Sequence, residues 1–545
     1  MERGNTRARD AAPPRYVRLV LPCIFAGTIA LRLRALGVPL ERDEGEYAYM
    51  GQLILHGEVP YLAAQNMKLP GVYYAYAAIL ELFGQTGFAI HTALLGITLA
   101  SLALVFLVGR RLFDAVTGLV AAVVYAMLTL DPSMLGFTAN AEHFVMLPVL
   151  AGVLVLSWLE PEHRARRRRA LVTMAGALLG IAVVMKQQAA AFVAFGSVYV
   201  LLDAAWRRRT IASAAFDAAS FLAAALLPYG VVCLAMYRDG AFGPFWFWTV
   251  TYAREYVGVV PLADGMSALR GEAIELADAV PGAWLLAGTG LAALVWDGTS
   301  RRQAWFLALF AVASFAAVTP GLRFTSHYFI LLVPAASLLA GVAVSALGRI
   351  AAERRAPRTA TAIIVGLPLV ATLTWLVHAR AFLFEESPPE IARSIYGSNP
   401  FPEAIAIADY LRAHTDESEH IAVIGSEPEI YFYAHRHAAT SYLYTYPMME
   451  PQPFARSMQE DMIAQLERER PLYIVFVNVD TSWLPWADSS RQLIEWTERT
   501  VNDAYDAVGI ADIYTDHDTV YRWDDAARGP ASTRGSFVAV FRRRV

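Results

Sequence analysis

The run Glu41-Arg42-Asp43-Glu44-Gly45-Glu46-Tyr47 puts four carboxylates within six positions, directly after an apolar stretch over residues 17–36. Carboxylates can take a proton from a hydroxyl, and a lysine can meet an anion. The first lysine, Lys68, follows in the same loop. Charges held against a membrane span are costly and are kept for function. Further along, Asn140-Ala141-Glu142-His143, Lys186 and the pair Arg323 and His327 stand at the ends of other apolar stretches. These segments read as parts of one site assembled between helices.

The elements that must carry them are membrane spans. Of 545 residues 56% are hydrophobic and 17% charged, with a mean hydropathy of +0.40. That composition is polytopic, and nothing in it points to a nucleic-acid partner. Both cysteines, Cys23 and Cys233, lie inside apolar segments, so no disulfide or thiolate metal site is expected. The basic start runs into an apolar stretch that ends in Leu31-Arg32-Leu33-Arg34 without a small-residue cleavage site. It reads as an uncleaved first span.

A span needs ~20 apolar residues. About eleven are expected, up to thirteen, centred near residues 26, 98, 125, 150, 178, 197, 225, 289, 312, 338 and 368. Arginines crowd every second loop: Arg110-Arg111, Arg166 to Arg169, Arg207 to Arg209, Arg301-Arg302, then Arg349 to Arg358. By the positive-inside rule those loops and the N-terminal tail are cytoplasmic, and the C-terminal region is outside. The unusual ionisable groups then gather at the outer face. In the first outer loop, residues 46–56 and 72–82 read as two amphipathic helices lying on the membrane, with Tyr47, Tyr49, Tyr73 and Tyr74 at headgroup depth. The segment Phe242 to Trp248 is a further aromatic candidate for that interface, or a loop that closes over the site.

Three domains follow: a cytoplasmic tail over 1–16, a transmembrane catalytic domain over 17–379, and a small extracytoplasmic α/β domain over 380–545. In the last, short apolar runs at 421–425, 472–478 and 536–541 read as strands. Residues 404–414 and 454–470 read as helices.

Together these features resemble the GT-C superfamily of membrane glycosyltransferases. The likeness is to bacterial relatives of dolichyl-phosphate-mannose protein mannosyltransferases and of the lipid A aminoarabinose transferase. Arg42-Asp43-Glu44-Gly45-Glu46-Tyr47 resembles the acidic motif of the first outer loop, where the family's catalytic carboxylate sits. Lys68-Leu69-Pro70 with Tyr73-Tyr74 resembles the stretch whose lysine meets the lipid phosphate, although Gly71 stands where a proline or apolar residue is common. Glu142-His143 stands where relatives carry another acidic residue, and residues 327–335 resemble a His-Tyr-Phe stretch of bacterial members.

The resemblance implies transfer of a sugar from a polyprenyl-phosphate donor to an extracytoplasmic acceptor, at the bacterial cell membrane and with inversion. Asp43 is the expected base and Glu44 its runner-up. Lys68 is the expected phosphate ligand, with Arg323, His327 and Lys186 behind it. Glu46, Asn140, Glu142 and His143 are expected to bind substrate. No metal-binding spacing stands out, and no cofactor is expected because Lys68 can take a cation's place. A transporter or flippase of a lipid-linked sugar is the alternative, but it predicts internal repeats and mid-membrane charges. A membrane scaffold that presents the outer domain is a third reading, and it leaves the acidic motif and Lys68 without a role.

Overall fold

The computed structural model describes residues 15–160, 164–297, 301–515, 518–528 and 535–544. The basic tail over 1–14 and the side chains of Arg301 and Arg302 lie outside the described residues. A helix covers each of the eleven expected span centres. Among the described residues seven helices are long and apolar enough to cross a membrane. An eighth span results if Leu262–Ala279 and Pro281–Trp296, bent by 109°, count as one. The centres near 125, 150 and 312 fall on shorter apolar helices. The chain is an α-helical polytopic membrane protein with a small C-terminal α/β region.

The contacts divide the chain into two compact units, and not at a single cut near residue 380. One runs through Ala35, then His91–Ala235 and Val260–Glu385. The other gathers Leu36–Ile90, Met236–Val259 and the chain from Glu386 onward.

In the first unit the Val333–Glu353 helix is the hub, buried along most of its length and packed against Ala115–Leu130, Pro281–Trp296 and Pro357–His378. Helices in lipid associate through close packing at small residues. A methyl group on Gly341 would lie 2.3 Å from the carbonyl oxygen of Thr117, and one on Gly290 would lie 1.8 Å from that of Leu339. Only glycine allows these backbones to touch. Two of the arginines expected to mark topology also hold helices together. Buried Arg168 donates to Asp217 (2.7 Å) and Asp203 (2.5 Å), and Arg349 donates to Asp114 (3.1 Å). Removing one partner of the buried Arg168 cluster is costly because the other charge is stranded.

The second unit is built on a five-stranded mixed sheet in the order β1-β2-β5-β3-β4. Its strands are β1 (Ile421–Ile424), β2 (Tyr473–Asn478), β3 (Tyr505–Asp512), β4 (Val520–Trp523) and β5 (Phe537–Arg543). β1 and β2 run parallel, with Ile421 beside Tyr473, joined through the Ala455–Glu469 helix. The other pairings are antiparallel. β1, β2 and β5 lie where the sequence places them. The Arg42–Leu55 and Gly71–Phe83 helices pack on each other, and the first also packs on the short Glu429–Ala434 helix that follows β1.

Here two expectations are corrected. The 42–55 helix does not lie on a surface, because residues Glu44 to Leu53 are all buried in the unit. Tyr47 packs against Tyr76 (ring centroids 5.3 Å) and Tyr49 against Tyr431 (5.1 Å), so both rings are core residues and not headgroup anchors. The Phe242–Trp246 turn continues into a π-helical turn, Phe247–Tyr252, whose Trp248 and Tyr252 are also buried.

Candidate active site

Glu41 caps the 42–55 helix. Its Oε1 accepts the Glu44 N–H at 3.1 Å, and Glu44 Oε2 accepts the Glu41 N–H at 3.2 Å. This reciprocal box satisfies two of the amide groups that a helix start leaves open. Glu44 therefore serves the helix end. Arg42 anchors the same turn by donating to the Ser426 carbonyl (2.7 Å), Asn399 (3.1 Å) and Glu427 (3.1 Å). Gly45 meets the backbone of Glu429: a methyl group there would come within 2.6 Å of the Glu429 nitrogen. The glycine of the acidic motif is thus a packing requirement.

Asp43 and Glu46, three positions apart, share a face of that helix. The ammonium of Lys68 donates to both, at 2.8 Å to Asp43 Oδ1 and 2.6 Å to Glu46 Oε2. It also stands 4.6 Å from the centre of the Tyr47 ring. The lysine loop is fixed by the Tyr61 hydroxyl, which donates to the Lys68 carbonyl at 2.7 Å. Glu46 is fully buried and takes two more donors: the Tyr73 hydroxyl at 2.6 Å and the Tyr444 hydroxyl at 2.7 Å. Tyr444 lies also 3.4 Å from Asp43 Oδ1.

Burial works against the Lys68 ammonium, but Asp43 and Glu46 outweigh it and hold the pKa above the ordinary lysine value. Lys68 is a fixed cation. Burial pushes the Glu46 carboxyl up from its usual range, opposed by Lys68. Burial likewise raises Tyr73 and Tyr444, which stay protonated and donate. Asp43 differs from its partner: its side chain remains 19% exposed, against 0% for Glu46. One carboxylate is locked, and the other is within reach of a ligand.

The remaining expected residues lie in the first unit. Lys186 sits at the break between the Ala165–Met185 and Ala190–Trp206 helices and pairs with Glu142 Oε1. Its ammonium is 4.2 Å from the Tyr328 ring centre. Asn140 precedes the Ala141–Ser157 helix and donates to Thr138 at 2.8 Å. Glu142 Oε2, Asn140 Oδ1 and His143 Nε2 are buried without a hydrogen-bond partner among the described residues. His327 packs its ring against Tyr328 at 4.8 Å, and Arg323 lies in the same loop. The candidates therefore form two clusters, one in each unit. Among the described residues no three His, Cys, Asp or Glu side chains gather as a metal site.

Sequence reading missed the roles of Tyr444, Tyr73 and Tyr47 at Lys68 and Glu46. The Lys68-to-Tyr73 stretch carries a signal for one of them. Tyr444 is almost four hundred residues from Glu46, and only the fold brings it there.

The family of dolichyl-phosphate-mannose-protein mannosyltransferases matches residues 67–231. No curated protein matches the chain. Among solved structures, ArnT from Cupriavidus metallidurans, bound to undecaprenyl phosphate, aligns with 97% of this chain and 98% of its own at a TM-score of 0.58 and 15% identity. The archaeal oligosaccharyltransferase AglB from Archaeoglobus fulgidus, in complex with an inhibitory peptide and a dolichol-phosphate, aligns with 94% of this chain and 74% of its own. Its TM-score is 0.55, at 14% identity. The chain shares the fold of these two membrane proteins. The family match begins at residue 67, so it takes in Lys68, Glu142 and Lys186 and leaves out Asp43 and Glu46. Those two rest on the geometry of the second unit.

Proposed function

We propose that the protein transfers a sugar from a polyprenyl-phosphate donor to a hydroxyl acceptor outside the cytoplasm. The observation that carries this reading is the Asp43–Lys68 pair: a reachable carboxylate and a fixed cation held 2.8 Å apart. It draws support from ArnT and AglB, both solved with a polyprenyl phosphate bound. The acceptor hydroxyl attacks the anomeric carbon on the face opposite the phosphate. A new carbon–oxygen bond forms as the bond to the phosphate oxygen breaks, with inversion. The hydroxyl proton passes to Asp43. The electron pair of the broken bond goes to the phosphate, which leaves as polyprenyl phosphate with one more negative charge. Lys68 stabilises that charge, a task for a preorganised cation in a water-poor site. Glu46, held by Tyr73 and Tyr444, keeps Lys68 in place.

The direct test uses the full-length protein in proteoliposomes, supplied with polyprenyl-phosphate sugars and an acceptor fraction from the producing cells. Mass spectrometry should show one donor lost and an equal amount of polyprenyl phosphate formed. A donor that crosses the bilayer intact, with none consumed, would replace this reading with a transporter.

The orientation belongs to the same proposal, on the alternation of arginine-bearing loops. Reporter tags placed after Arg111 and Arg208 should report cytoplasm, and a tag following the last residue should report the opposite side. A C-terminal tag in the cytoplasm would put Asp43 in the wrong compartment for the acceptor.

A further inference from the structure

Beside the Asp43–Lys68 pair the second unit holds a narrow cleft of about 20 Å³, walled by Trp248, Tyr252, Tyr442 and Tyr446 and bounded by Asn66 and Met458. Tyr444 also lines it, so the residue that touches Asp43 and Glu46 forms one wall. The rings form a set: Trp248 meets Tyr252 edge-on at 5.0 Å and Tyr442 at 6.2 Å, and Tyr446 stacks on Tyr444 at 5.1 Å. Aromatic side chains in a core pack until no room is left. Here they leave a slot, and Tyr442 and Tyr446 stay partly exposed at it. A volume of this size takes one or two water-sized groups, such as a hydroxyl or a hydroxymethyl arm.

We propose that this cleft is the acceptor subsite and that the acceptor hydroxyl is carried on a sugar. A sugar ring has an apolar C–H face, which suits an aromatic wall, and a hydroxyl edge, which suits an amide such as Asn66. Pockets of mainly aromatic lining with few polar groups fix such ligands by shape and a small number of hydrogen bonds. A peptide acceptor would need open backbone groups at the rim to pair as an added strand. Where the 65–66 and 441–442 segments meet, one such pair is already used, since the Gln65 N–H donates to the Ser441 carbonyl at 2.9 Å. The ring lies on the exposed side of Tyr446 and places a hydroxymethyl arm in the slot. A hydroxyl on the ring edge beside Tyr444, which lies 3.4 Å from Asp43, is the one that reaches that carboxylate. This deepens the proposed transfer reaction and rests on Asp43 being its base.

The test is binding without turnover. Full-length protein in nanodiscs is mixed with the methyl glycosides of mannose, glucose, galactose and arabinofuranose, and separately with a short serine- and threonine-containing peptide. Saturation-transfer NMR reads which protons contact the protein. At least one glycoside should give a signal centred on its ring C–H protons. Tyr446→Leu should weaken the signal about tenfold, the upper range for losing one aromatic contact. Tyr446→Phe should retain it, which separates a lost ring from a lost fold. Asp43→Asn should bind the glycoside as well as the parent, so a failed transfer reaction and a failed subsite give different results. The proposal is overturned if no glycoside shows a signal that depends on Tyr446, or if only the peptide does.

Discussion

Asp43→Asn is expected to lower sugar transfer by about 10²-fold or more, the usual contribution of a positioned general base. The amide keeps the shape of the carboxylate but cannot accept the proton. The variant should fold, because Asp43 is the less buried of the two carboxylates on Lys68 and the helix start is capped by Glu41 and Glu44. The measurement is donor turnover at saturating acceptor, with the thermal melting of the purified protein as a control for folding. Wild-type turnover in Asp43→Asn would move the base elsewhere. Glu44→Gln is a useful comparison, since its carboxylate sits in the helix cap. It should lose stability before it loses rate.

Lys68→Met should abolish most of the activity as well, by ~3 kcal/mol of transition-state stabilisation, the scale for one preorganised donor in a catalytic site. The cause differs from that in Asp43→Asn. Lys68 is paired with Asp43 and Glu46, and buried Glu46 depends on it for part of its charge balance. A phosphate that draws the ammonium toward itself loosens Lys68 from Asp43 and makes that carboxylate a stronger base. Donor binding and base strength are therefore linked through one nitrogen. In Lys68→Met the affinity for polyprenyl phosphate should fall together with the rate, whereas Asp43→Asn should lose rate with affinity intact. Equal donor affinity in Lys68→Met and the parent would remove Lys68 from phosphate recognition.

The apolar helices were legible because hydrophobic runs are local signals, and each expected centre falls on a helix, although only seven or eight of these are long and apolar enough to cross a membrane among the described residues. The break at Lys186 was legible too, because the expected centres near 178 and 197 leave the lysine between them. What the sequence hid has physical causes. β3 and β4 were missed because Asp506, Ala507, Gly509 and Ala511 are weak strand formers, and Arg522 interrupts the short second run. Their pairing across the sheet overrides propensity. The burial of Tyr47 and Tyr49 was misread because an amphipathic helix rich in tyrosine has the same pattern at a headgroup or inside a protein. Of the candidate site, the cluster of Asp43, Glu46 and Lys68 could be picked out by charge and position. Tyr444 could not, because nothing in a run of tyrosines states which one will face Glu46. The role of Glu44 was hidden in plain view: Glu41 and Glu44 have the spacing of a capping box, but a glutamate is an unusual residue to open one.

The contact of Gly45 with the backbone of Glu429 has a consequence for engineering. The segment that holds Asp43 and Lys68, the 236–259 stretch and the region after Glu386 form one compact unit written in three separate pieces of sequence. Arg42 reaches Ser426 and Tyr444 reaches Glu46 within that unit. A chimera that grafts only the C-terminal region of a relative onto this chain would set a foreign surface against Gly45 and remove a donor from Glu46. The three pieces form a cassette, and an exchange meant to alter acceptor preference has to move all of them together.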